Sequence, residues 1–476
     1  MNGRWLSVAA ACMCVAVTAR AQFPEDALRF ATPGIGVGAR SLGMGNAFTG
    51  IANDYSAIYW NPAGLAQLEH GEFSFGLSHL ITGDESSFFG NVKNYTNSST
   101  SVNAFGLTVP VETRRGSLVF ALGYNRQSNF TTGMEFSGFN PVSSIVQAWA
   151  PDNALTPSSL SGNLAWELYL ADIDTNTSRW ISPFLDSLSQ LGTVLEGGGL
   201  DNWSVAGAVD VGRNLSVGAT LSYVAGSYKY DRTYTERDDL GIYSNLPFDL
   251  AEFTVSDNLV SDLSGFGARL GLMYREPNRF RFGVAVRVPT TYSVKEDFGT
   301  TGRTYFDNND VMPADGPYTS TGHTEYDVVT PWVFSAGASV IVDMLMLSGD
   351  VEFTDWKQLS FENTTGDLLA LNQEIKTLFR ATMNAHVGAE VDLRNAGVRL
   401  RGGFMYHPSP FQGDPATFDQ KFATGGLGFM LGQTTMLDVA YARGWWDTYR
   451  VNYDATSRTD EHVTTDNIVL TLTYRF

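Results

Sequence analysis

Cysteine is nearly missing from this sequence: Cys12 and Cys14 are the only two among 476 residues. Both fall in a segment, 1–21, that reads as a secretory signal peptide. Arg4 gives a positive start, Trp5 to Val17 is a short run of apolar and small residues, and Ala19-Arg20-Ala21 is an A-x-A site before Gln22. The run is too short to span a bilayer. A lipoprotein reading through Ala9-Ala10-Ala11-Cys12 lacks the usual leucine. A mature chain beginning at Gln22 has no cysteine, which excludes a disulfide framework and any thiolate-ligated metal.

Charge is scarce too, and one-sided. Charged residues make up 17%, below the usual quarter. The net charge of −19 becomes −21 without Arg4 and Arg20, a balance that repels nucleic acid. Past the signal there is no apolar run of 18 residues, so the mature chain holds no transmembrane helix. Chemistry-bearing motifs are missing as well. The glycines Gly34, Gly36 and Gly38 follow no strand and lead to no GK[ST]. The six histidines lack metal-ligand spacing, and no G-x-S-x-G elbow occurs. No enzyme, cofactor or metal site is read.

What is present is aromatic residues, at 13%, and 48 glycines. These fall into short alternating segments. In the last eleven residues Ile468, Leu470, Leu472, Tyr474 and Phe476 share one face; Asn467, Thr471, Thr473 and Arg475 share the other, with Val469 the exception. Phe280, Phe282, Val284, Val286 and Val288 alternate with Arg279, Arg281, Gly283, Ala285 and Arg287. One face is almost purely apolar and the other carries both signs of charge, which suits a lipid-facing exterior around a wet lumen. Such segments start near Gly71, Val102, Gly116, Trp203, Leu215, Gly265, Arg279, Trp332, Leu345, Met383, Gly397, Lys421, Thr435 and Thr464. Short connections alternate with long ones throughout, as periplasmic turns do with external loops. The expectation is an all-β protein: a 14-stranded antiparallel transmembrane β-barrel over 71–476. Residues 22–70 form a plug inside its lumen, since a barrel this wide is not filled by its own side chains.

In the plug segment Asn61-Pro62 reads as a helix start, Asn as cap and Pro at the first helical position. The stretch 38–69, GARSLGMGNAFTGIANDYSAIYWNPAGLAQLE, resembles the N-terminal hatch of the FadL/TodX outer-membrane family, most specifically at Asn61-Pro62-Ala63. The resemblance implies a passive transporter of long-chain fatty acids or other hydrophobic compounds in the bacterial outer membrane, a monomer among lipid and lipopolysaccharide. Ligand would land in an external loop groove, pass a moving hatch and leave sideways into the bilayer. An alternative is a FadL-like barrel that serves a protein-secretion system without transporting. Arg40, Ser41, Met44, Phe48, Asn61, Pro62 and Ala63 are the gating candidates. The connection 126–202 is the longest. Ile181, Phe184, Leu185, Leu188, Leu191 and Leu195 fall at helical spacing in it, and Leu164, Trp166, Leu168 and Leu170 add a second apolar set. This connection reads either as a cap lining the external groove, with Trp166, Phe184 and Leu188 as candidates for ligand contact, or equally as a helical lid buried against other loops. Lumen arginines Arg269, Arg275, Arg279, Arg281, Arg287, Arg399 and Arg401 would brace the wall by pairing with Asp350, Glu352, Glu390 and Asp392, or attract an anionic ligand; bracing is preferred. His386 is expected as a solvated or salt-bridged lumen residue beside Glu390 and Arg399.

Overall fold

The computed structural model describes residues 23–149, 162–174, 176–177, 179–245, 248–276, 279–364 and 366–476. The signal segment 1–21 lies outside them. The wall is built from fourteen strands: β1 Glu72–Phe88, β2 Asn91–Val111, β3 Leu118–Asn129, β4 Leu188–Gly212, β5 Leu215–Arg237, β6 Phe248–Glu276, β7 Phe280–Arg287, β8 Val333–Val342, β9 Leu345–Asp355, β10 Ala381–Leu393, β11 Val398–His407, β12 Gln420–Leu431, β13 Thr435–Val451 and β14 Arg458–Arg475. Each pairs antiparallel with its neighbour. β1 closes the ring on β14 from Glu72–Arg475 to Ser87–Asp460. Closure leaves no open sheet edge in the bilayer, which has no water to satisfy one.

The alternation faces as its chemistry requires. Phe73, Phe75, Leu77, Phe280, Phe282, Leu470, Leu472 and Tyr474 are exposed outward, forming a belt for lipid. Val469, the exception, points inward and packs with Ala39, Leu42 and Met405. Above the belt several strands continue as polar ribbons. β1 and β2 pair up to Phe88–Asn91, so 81–101 is a hairpin rather than a loop.

The wall has several irregularities, among them register shifts in β1–β2 between Gly76 and Leu77 and in β4–β5 between Asp210 and Gly212. The β3–β4 register shifts between Arg126 and Ser128. Beyond Arg287, β7 gives way to a second ribbon, Thr291–Phe306, which pairs with the outer half of β6. That ribbon returns as Tyr318–Val329 before β8. The connection after β3 turns back as a strand, Thr132–Asn140, against β4. It then forms short helices at Ile145–Trp149 and Leu164–Glu167.

The helical reading of residues 181–195 fails. Leu188–Gly212 is one strand, in which Leu188, Gln190, Gly192 and Val194 face inward and Leu191 and Leu195 face away. The i, i+3, i+4 spacing was fortuitous: the backbone here is paired on both sides, with Thr132–Asn140 and with β5, and that pairing decides the conformation.

Candidate functional site

Residues 24–70 are packed against the inner faces of the wall. They form helix α1 Pro24–Ala31, helix α2 Ala39–Gly43, a turn of helix at Ala57–Trp60 and a 3-10 helix Pro62–Gln67. As expected, Asn61 caps the last of these through Oδ1, which accepts the Ala63 N–H at 3.2 Å. Its Nδ2 donates to Thr49 O at 3.0 Å and to Leu272 O of β6 at 3.2 Å. One fully buried amide thus ties two plug turns to each other and to the wall. Pro62 and Ala63 are buried beside it, as are Met44 and Phe48.

The plug sits in dimples made by cross-strand pairs of glycine. Gly106 faces Gly123, Gly218 faces Gly271, Gly283 faces Gly337, and Gly388 faces Gly403. Each pair holds one plug feature at distances no side chain would permit. A Cβ on Gly123 would lie 2.0 Å from Tyr55 Oη, one on Gly271 2.2 Å from Asn61 Oδ1, one on Gly283 2.1 Å from Thr49 O, and one on Gly388 2.1 Å from Met44 O. Gly45, at φ +60°, turns the plug chain into the last dimple. Tyr55 Oη is directed at Phe105 O (2.9 Å) and Tyr124 O (3.2 Å).

Charge secures the seat. Arg40 donates through Nε and Nη2 to Glu390 at 2.9 Å each, and through Nη1 to Asn53 Oδ1 at 2.7 Å; its guanidinium lies 5.6 Å from the Phe48 ring centre. Arg401, wholly buried, links Glu390 (2.7 Å) to Asp438 (2.6 Å). Asp350 accepts the Thr49 N–H. The single Ser41 O–H is directed at Val37 O and Gly38 O, so it shapes the plug and touches no wall strand through that bond. Sequence reasoning missed Tyr55, Asp350, Arg401 as a plug latch, and every wall glycine. Only Tyr55 had a signal, its place inside the hatch stretch.

The lumen arginines divide. Arg275 pairs with Asp210 (2.7 Å), Arg399 with Asp392 (3.4 Å) and Arg401 as above, which is bracing. Among the described residues Arg269, Arg279, Arg281 and Arg287 make no ion pair within 4.0 Å. Asp350 serves the plug, and Glu352 takes hydrogen bonds from Ser335 (3.3 Å) and Asn384 (3.4 Å) instead. His386 is neither solvated nor salt-bridged. It is buried, with its Nε2 2.9 Å from His407 Nε2, because β11 brings that ring across the pair.

The external candidates are folded into the cap's own core. Phe184 and Leu188 are buried there with Phe136, Trp149, Tyr234 and Phe253, and Phe184 meets Tyr243 edge to face. Trp166, in the Leu164–Glu167 helix, is half-buried. Phe184 and Leu188 are therefore not open to an external groove in this conformation.

Residues 201–476, more than half of the chain, match the family described as outer membrane protein transport protein (OMPP1/FadL/TodX). The chain belongs to this family. It is thus a FadL/TodX-type β-barrel of the bacterial outer membrane, from a family of transport channels for hydrophobic compounds. No curated protein gives a significant sequence match. Among solved structures it is similar to the toluene transporter TodX of P. putida, at 13% identity over 93% of this chain and 99% of that one, with TM-score 0.56. It is also similar to a FadL homologue of Pseudomonas aeruginosa, at 15% identity over 92% and 98%, with TM-score 0.57. At these identities the likeness establishes the fold alone.

Proposed function

We propose that the barrel is a passive channel that admits long-chain fatty acids or other hydrophobic compounds through its external cap, gates them by movement of the plug and releases them sideways into the bilayer. The observation that carries this is the seat of Asn61-Pro62-Ala63 across Thr49 and Leu272: the segment packed inside the barrel is held by specific, individually replaceable polar contacts. The driving force needs no energy source, because a hydrocarbon gains roughly 0.8 kcal/mol per CH₂ on leaving water. Lateral release is supported by the β3–β4 register shift. There Gly34 N–H donates to Gln127 O at 2.8 Å and Ser128 Oγ to Thr32 O at 3.1 Å, so plug residues border this bulge in the wall. The lipopolysaccharide layer would thereby be bypassed.

Uptake of radiolabelled oleate and toluene into outer-membrane vesicles, with and without residues 39–66, tests this reading. Saturable uptake of either ligand that changes on deletion is the expected result. Uptake of neither, with only an ionic leak after deletion, would overturn transport in favour of a plugged barrel serving a secretion partner.

A further inference from the structure

The scarce cations of this chain are sorted by side. Every lysine lies on the external side: Lys93, Lys229, Lys295, Lys357, Lys376 and Lys421. The permanently charged basic side chains of the periplasmic end are all arginine. Four of them stand on three successive turns. Arg114 and Arg115 lie between β2 and β3, Arg213 between β4 and β5, and Arg279 between β6 and β7. All four are exposed, and among the described residues none makes an ion pair or a side-chain hydrogen bond. The turns that carry them are fixed. Thr113 Oγ1 donates to Gly116 O at 2.6 Å, Gly116 turns the chain at φ +72°, and Arg279 N–H donates to Glu276 O at 3.1 Å.

Neighbouring acids do not cancel this charge. Asp210 is taken by Arg275 at 2.7 Å, and Glu276 accepts from the Asn214 side chain at 2.9 Å. Glu112 is left as the one free carboxylate on these turns among the described residues. The rest of the rim differs. Arg475 pairs with Glu72 at 2.7 Å, Arg394 lies 4.0 Å from Asp392, and the turn between β8 and β9 exposes Asp343. A chain of net charge −19 thus carries a basic arc along the periplasmic ends of β2–β7.

The arc begins where the lipid-facing surface ends. Val111 and Val211 are exposed outward just before Arg114 and Arg213. Tyr274 and Phe280, stacked with ring centres 5.9 Å apart, are exposed on either side of the turn that carries Arg279. Exposed aromatic rings at strand ends sit at the head-group level of a bilayer. Successive turns lie two strands apart, about 10 Å, so the guanidiniums form a row along the membrane edge rather than one compact pad. Such a row fits several separate oxyanions, and the planar fork of a guanidinium matches a phosphate in two hydrogen bonds.

We propose that Arg114, Arg115, Arg213 and Arg279 bind the phosphodiesters of anionic phospholipid in the periplasmic leaflet, so that acidic lipid gathers along the β2–β7 side of the barrel. This binding does not depend on what the channel carries.

The test is lipid selection by the full-length barrel in phosphatidylcholine vesicles. Electron spin resonance reads how much chain-labelled phosphatidylglycerol or phosphatidylcholine is immobilised at its surface. Wild type should prefer phosphatidylglycerol by about threefold or more at low salt. That preference should approach unity in about 1 M salt, where the screening length falls to about 3 Å. Arg114→Gln, Arg115→Gln, Arg213→Gln and Arg279→Gln together should remove it, while Arg394→Gln keeps it. Equal association of both lipids with wild type would overturn the proposal. So would a preference that survives high salt or the fourfold replacement, or one that millimolar glycerol 1-phosphate, a head group without chains, abolishes. Wild type that ignores phosphatidylglycerol yet binds polyglutamate through these arginines would give the arc to an acidic protein instead. Oleate and toluene uptake reads the channel separately, so its failure would leave this result standing.

Discussion

Asn61→Ala should loosen the plug without disturbing the wall. The side chain makes three hydrogen bonds, to Thr49 O, Leu272 O and Ala63 N–H, at 3.0, 3.2 and 3.2 Å. Thr49 and Ala63 belong to the plug itself, so only the bond to Leu272 O ties it to the wall; its loss weakens the seat by about 1 kcal/mol. The Leu272 carbonyl keeps its place in a strand paired on both sides, so the barrel is spared. At about 1.4 kcal/mol per decade, the population of the unseated plug rises about fivefold.

A buried thiol can read that population. Because cysteine occurs only at positions 12 and 14, Ala57→Cys in a chain beginning at residue 22 carries a single thiol, at a position with no exposure. When closing is faster than labelling, the rate of its reaction with a membrane-impermeant maleimide follows the open fraction. The added Asn61→Ala should raise that rate about fivefold, with identical rates for both proteins in denaturant. A change below about threefold would refute the assignment of Asn61 as the tie between plug and wall.

Gly283→Ala should act by the opposite route. β7 tolerates alanine, but the new methyl would stand 2.1 Å from Thr49 O, so the plug must lift and single-channel conductance should rise. Arg401→Gln leaves Glu390 and Asp438 buried beside a neutral amide; a loss of about 3–5 kcal/mol should appear as a lower thermal unfolding midpoint. Glu236 lies on the external extension of β5, wholly buried, where Ser144 Oγ, Ile145 N–H, Gln190 and Tyr234 all donate to it. Burial outweighs those donors and pushes its carboxyl up to about 7 from the ordinary value. A raised folded-state pKa means the cap is most stable at low pH, below about 4.5, and loses stability as pH rises through about 7. The change is about 3 kcal/mol. Hydrogen exchange over residues 140–149 should therefore slow as pH falls, after correction for intrinsic rates, and Glu236→Gln should abolish the dependence.

The membrane-facing half of the wall was legible because lipid imposes a period on the sequence. The strands that begin at the periplasmic end start at Glu72, Leu118, Leu215, Phe280, Leu345, Val398 and Thr435. The alternation placed each within two residues. Several strands that begin outside did not follow: β2 starts at Asn91 rather than near Val102, β4 at Leu188 rather than Trp203, β6 at Phe248 rather than Gly265. Past the belt both faces of a ribbon meet water or other loops. The apolar period ends there although the hydrogen bonding continues, so sequence marks where lipid stops and not where the strand does.

The plug's seat was hidden for a different reason. Each wall glycine looks ordinary in its own strand, where glycine weakens pairing and has no local purpose. Its meaning exists only across the sheet, where Gly106 meets Gly123 and Gly283 meets Gly337 beneath Tyr55 and Thr49–Gly50. The same holds for the arginines. Spacing put seven on the lumen face and could not separate those that brace from those that wait. Arg401 braces because β10 and β13 bring Glu390 and Asp438 to it; Arg269 and Arg287 stay unpaired because the acids of the neighbouring strands are taken by the plug, Ser335 and Asn384. A few of the chain's scarce charges thus lock the plug to the wall, Arg40 through Glu390 and Asp350 through the Thr49 N–H.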